Sequence, residues 1–169
     1  MTKTKLPQPV AIRIEIARAG GLSDEALIQW IDRGDTAALQ PLGPEWLTWD
    51  ILTEYAEQHG DDLRKAIREG YEFKFLTIRG LIHYLLYRFG LREQADYRLN
   101  GSVLEGVALP REDVRRLRET IPAYWDIVET ESVPGAAAEA DLDVSRERIT
   151  FRIERLYSDT VRFEGGETG

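Results

Sequence analysis

The chain has no cysteine, one methionine and only two histidines. Without cysteine there can be no disulfide, thiol nucleophile or thiolate metal site, which fits a reducing compartment such as the cytoplasm. His59 and His83 lie far apart, and neither HxxxH nor HxH spacing occurs, so no metal site and no cofactor are expected. Positive charge is also short: 22 Lys and Arg stand against 30 Asp and Glu, a net charge of -8. A duplex is a dense line of phosphates, so an acidic chain must gather its cations locally to bind one. Nucleic-acid binding is therefore disfavoured. Phosphate loops, GxGxxG turns and GxSxG elbows are absent. The opening MTKTKLPQPV has no apolar stretch behind its lysines and does not read as a secretory signal. The longest apolar run, Phe73–Phe89, contains Arg79, His83 and Arg88, which argues against a membrane span.

What is present is ordinary for a folded protein. A 43% hydrophobic content over 169 residues is enough for one core. Val10, Ile12, Ile14 and Ile16 alternate with Ala11, Arg13, Glu15 and Ala17, a period of two that predicts a half-buried strand. Ser23, followed by Asp24 and Glu25, predicts a helix start, and Gly34 its end. A further helix is expected from Pro44 to about His59, then a short one from Asp61 or Asp62 to Gly70. Tyr71–Phe75 alternate and allow a short strand. Asn100-Gly101 predicts a hairpin at about 97–105 with a type I′ turn, whose positive φ angles Asn-Gly supplies. Pro110 to about Arg118 reads as a helix, with a possible continuation toward Trp125. Residues 132–140, SVPGAAAEA, form a linker. Ile149, Phe151 and Ile153 alternate, and their β-branched neighbours favour a strand, although Leu142, Arg146, Ile149, Ile153 and Leu156 also fit a helix stripe; residues 157–163 are a candidate hairpin partner and 164–169 a disordered tail. The N-terminal and post-linker strands carry matching alternation, which lets them pair with each other or across a dimer.

The expected class is α+β with segregated elements: a helical core around an apolar helix at about 73–90, small antiparallel strand elements near both termini, and the hairpin. The expected organisation is a main domain over 1–131, the linker, and a C-terminal strand pair or arm over 141–163. On the central helix, Phe75, Ile78, Ile82, Leu85, Leu86 and Phe89 fall on one face as the core stripe. Leu76, Gly80, Tyr84 and Tyr87 form an opposite apolar strip with a glycine notch.

Three readings of function follow. Trp46 and Trp49 cannot both face the core stripe of their helix, so at least one points elsewhere. With Tyr84 and Tyr87 they make a candidate partner surface, because Trp and Tyr bury much area and keep a polar handle. On this reading the chain is a non-enzymatic regulatory or adaptor protein acting through protein partners or self-association as a homodimer. Secondly, three helices from Pro44 to Gly90 followed by a hairpin resemble a winged-helix arrangement in topology. That resemblance implies a nucleic-acid-binding regulator with Lys74, Arg79, Arg88 and Arg98 near phosphates. Thirdly, Glu72-Phe73-Lys74 has the E-x-K spacing that resembles the motif of a large nuclease superfamily. With Asp62 upstream it implies a Mg²⁺-dependent nuclease, Asp62 and Glu72 holding the ion and Lys74 aiding the attacking water. The sequence leaves any small-molecule ligand unknown.

Overall fold

The structure, a computed structural model, describes residues 3–133 and 147–156. It is α+β, and it divides into two compact units, Met1–Leu91 and Arg92–Gly169.

The first unit begins with a short strand β1 (Thr4–Leu6) and a helix α1 (Gln8–Ala19). The strand expected over residues 10–16 is this helix. Pro9 lies in its first turn, where the missing N–H costs nothing. Every side chain from Val10 to Ala17 is buried, so the alternation does not separate a wet face from a dry one. Arg13 and Glu15 are inside with partners, and β-branched residues are tolerated where a helix is packed on all sides. The alternation therefore does not create a strand that could pair with the C-terminal one.

Helix α2 (Asp24–Arg33) starts as its cap predicts, the Ser23 hydroxyl accepting from the Ala26 N–H at 3.2 Å, and it stops at Gly34. A single-turn helix α3 (Thr36–Leu39) and a 3-10 turn (Gln40–Leu42) follow. Helix α4 (Asp50–Glu69) begins six residues later than Pro44 suggests and runs through Gly60, kinked at His59 (φ -134°, ψ 38°). The break expected before Asp61 is thus a bend, and residues 44–49 are a loop.

Strand β2 (Tyr71–Phe73) pairs with β1, and the pairing is parallel, not antiparallel: Thr4, Lys5 and Leu6 lie opposite Tyr71, Glu72 and Phe73. Helix α5 (Ile78–Phe89) then starts at Thr77, whose hydroxyl accepts from the Gly80 N–H at 3.1 Å. Its buried residues are Gly80, Leu81, Ile82, Tyr84 and Leu85, with Leu76 just before it, while Phe75 is exposed. The core face is therefore turned toward the strip expected to lie opposite. The glycine notch is filled from within the unit: a Cβ on Gly80 would overlap the Gln8 carboxamide. That carboxamide oxygen accepts from the Thr77 N–H at 2.7 Å, tying the start of α1 to the start of α5.

The second unit holds β3 (Arg98–Asn100), β4 (Val103–Pro110), helix α6 (Arg111–Thr120), β5 (Trp125–Val133) and β6 (Arg148–Arg155). The four strands form one antiparallel sheet in the order β3-β4-β6-β5. The hairpin forms with Gly101-Ser102 as its two-residue loop and not Asn100-Gly101: Asn100 pairs with Val103, and Gly101 alone has positive φ, 65°, so the turn is not the expected type I′. A bulge between Leu104 and Val107, where Gly106 takes φ 75°, puts both side chains in the core although they stand three residues apart. Trp125 begins a strand and does not end a helix, and Ser132 belongs to that strand. Ile149, Phe151 and Ile153 are fully buried, as their alternation predicts, and their strand is central, between β4 and β5. Residues 134–140 of the expected linker, the proposed partner strand at 157–163 and the tail at 164–169 lie outside the described residues. Val114 and Leu117 of α6 face inward against β4 and β6.

Candidate interaction surface and a buried polar cluster

Two arrangements in the first unit stand out: an exposed tryptophan on a fixed loop, and a set of charged groups inside the core.

The loop at 43–49 runs between the 3-10 turn and α4. Leu47 and Trp49 turn inward, 5% and 1% exposed, and leave Trp46 outside at 71%. The backbone on either side of Leu47 and Thr48 is held from behind. The Arg13 Nε donates to the Thr48 carbonyl at 2.6 Å, and the Gln40 carboxamide to the Leu47 carbonyl at 3.0 Å. The buried Arg13 of α1 thus has a structural task, and its guanidinium pKa is lowered by desolvation. The indole N–H of Trp49 is buried and finds no acceptor among the described residues. The two tryptophans consequently differ: Trp49 is core, and Trp46 is surface.

The cluster centres on Glu15, 1% exposed on α1. Its Oε2 accepts a short hydrogen bond from the Tyr71 hydroxyl and another at 3.2 Å from the Arg18 guanidinium. Arg18 also donates to Asp24 at 3.0 Å and to the Ile67 carbonyl at 2.9 Å. One cation and one carboxylate thereby join α1, the first turn of α2, the end of α4 and β2. Burial, and then the Glu15 charge, push the Tyr71 phenol well above its ordinary value, so it stays a donor. Burial opposes the charge on Arg18, but Glu15 and Asp24 outweigh it and raise its pKa. A buried ion pair of this kind fixes geometry more than it adds stability.

The other residues singled out from sequence fall as follows. Tyr84 is buried, edge-to-face with Phe73 at 5.1 Å and with Phe89 at 5.7 Å, so it offers no partner surface. Tyr87 is half-buried, with its ring 6.5 Å from that of His83. Asp62 is exposed on α4, and its charge reaches Tyr55 about two turns away. Glu72 points away from the buried face of β2 and stands opposite Lys5. Lys74, Arg79 and Arg88 are exposed around α5, and Arg98 is exposed on β3 opposite Glu105. Arg98 belongs to the second unit and the other three to the first. Among the described residues no group of three or more His, Asp or Glu could hold a metal ion, and no helix is long and apolar enough to cross a membrane. Sequence reasoning missed Glu15, Arg18 and Tyr71, because a charged pair three residues apart is indistinguishable in sequence from a surface pair.

His83 gives a pH prediction. Burial first, and Arg79 second, lower its pKa. The unfolded chain, with a value of about 6.5, then binds this proton more readily than the folded one, so this group's contribution to stability falls as pH drops below about 6.5. In urea titrations at pH 7.5 and pH 5, the loss on acidification should be smaller for His83→Gln than for the parent; an equal loss would show that the imidazole contributes nothing.

No protein-family model, curated protein or solved structure matches the chain.

Proposed function

We propose that this is a non-enzymatic adaptor or regulatory protein that acts through protein contacts, with the Trp46 loop as its docking point. The observation that carries this reading is a 71% exposed tryptophan on a loop whose backbone is held by Arg13 and Gln40. An indole in water forgoes the gain of burying its large apolar area, about 1.5–3 kcal/mol for a large side chain. A loop already fixed loses little entropy when a partner covers it, so most of that gain is available to binding. Tryptophan is also among the side chains on which interfaces concentrate their energy.

Selection of a random peptide library on the intact chain, with Trp46→Ala as the counter-target, tests this. The expected result is enriched peptides that bind the parent and lose about tenfold or more on Trp46→Ala, equivalent to about 1.4 kcal/mol. The variant should unfold at the parent's midpoint, because the indole makes little contact at home. Binders indifferent to Trp46, or none at all, would overturn the reading.

A further inference from the structure

Charge in the first unit is divided between two segments. Residues 34–63 hold seven carboxylates and no Lys or Arg, whereas residues 73–91 hold Lys74, Arg79 and Arg88 and no Asp or Glu. Many charges elsewhere in the unit are paired at home: Arg64 with Asp32, Arg68 with Glu25, Arg18 with Glu15 and Asp24. Glu45, Asp50 and Glu54, around the Trp46 loop, are exposed and make no ion pair among the described residues. Lys74 and Arg79 are exposed and equally without one. The two large hydrophobic side chains left exposed among the described residues divide in the same way. Trp46 lies in the acidic segment, and Phe75, 43% exposed, lies between Lys74 and Arg79.

We infer that the partner of the Trp46 loop is a second copy of this chain, the acidic loop of one copy seating on the basic shoulder at Lys74, Phe75 and Arg79 of the other. The inference rests on the reading of Trp46 as a docking point. Each surface carries an uncovered aromatic, and the unpaired charges around the two are opposite in sign. Docking covers both aromatics and matches the charges, and electrostatic complementarity of this kind selects the partner and its register. Two acidic loops would repel each other, as would two basic shoulders, so like-with-like pairing is disfavoured. A reciprocal arrangement about a two-fold axis uses both surfaces of both copies and closes at a dimer.

The mass of the intact chain in solution tests this, measured by sedimentation from about 1 to 500 µM in about 20 mM and about 500 mM salt. The expected result is a dimer at low salt that weakens about tenfold or more at high salt, since exposed charges are screened. Lys74→Glu with Arg79→Glu should be monomeric, as should Glu45→Lys with Asp50→Lys, and an equimolar mixture of the two double variants should regain the dimer. Folding of each is checked by circular dichroism, and the mixture keeps the test decisive even if one variant is weakened. A parent that stays monomeric at low salt, or double variants that associate as well as the parent, would overturn the inference. A monomeric parent that still selects peptides dependent on Trp46 would overturn the second copy alone and leave the docking reading standing.

Discussion

Glu15→Ala is expected to cost about 3–5 kcal/mol of stability, because removing one member of a buried charged pair strands the others. The Tyr71 hydroxyl would lose the acceptor it donates to, on a residue only 4% exposed. Arg18 would keep Asp24 and the Ile67 carbonyl but lose the carboxylate that offsets its burial. A cavity would add to the loss, since Glu15 is 1% exposed. Glu15→Gln keeps volume and acceptor and should cost less, about 1–3 kcal/mol. Tyr71→Phe removes one of the two donors to Glu15 Oε2, leaving Arg18, and should cost about 1–3 kcal/mol. The double variant Glu15→Met with Tyr71→Phe replaces two polar groups by apolar ones of similar size, and should recover part of the loss. Denaturant titrations of these four variants check the order. A cost under about 1 kcal/mol for Glu15→Ala would show that the pair is not a structural tie.

The second large effect concerns β6. This strand lies between β4 and β5, which do not pair with each other. A chain ending at Val133 should therefore lose the sheet of the second unit, not merely an arm, while the first unit keeps its helices. The expected signs are a loss of strand signal in circular dichroism and rapid proteolysis beyond Leu91. The milder variant Phe151→Ala empties a fully buried site on the same strand and should cost about 3–5 kcal/mol. A truncated chain with protected strands β4 and β5 would contradict the central position of β6.

Much of the fold was legible because its signals are local. Ser23 and Gly34 bracket α2 as cap residues do, Gly101 turns the hairpin, and Ile149, Phe151 and Ile153 alternate in a strand with one buried face. The failures come from tertiary context. Val10–Ala17 alternates like a strand, yet α1 is enclosed on all sides, so the period carries no information about which face is wet. The α5 core face keeps Ile82 and Leu85 of the expected stripe but is rotated toward Gly80 and Tyr84 for a related reason. Gly80 and Tyr84 are buried by Gln8, Phe73 and Phe89, and of these Gln8 comes from the far end of the unit. Trp125–Val133 was hidden by a helix before it and a small-residue segment after it. At the candidate surface, sequence placed Trp46 and Trp49 on one helix that could not bury both; they stand instead on the loop before α4, where Trp49 is buried, Trp46 is exposed, and Arg13 and Gln40 hold the backbone.

The claim on which the functional account stands is that Trp46 is a contact residue. It is tested most directly by ¹⁹F NMR of the chain labelled with 5-fluorotryptophan, in which Trp30, Trp46, Trp49 and Trp125 give four signals and Trp46→Phe assigns one of them. As the chain is concentrated at low salt, or titrated with peptides selected on it, the Trp46 signal should move from its solvent-exposed position while that of buried Trp49 stays. A Trp46 signal that remains solvent-exposed while mass or peptide occupancy rises would place the contact elsewhere and contradict the account.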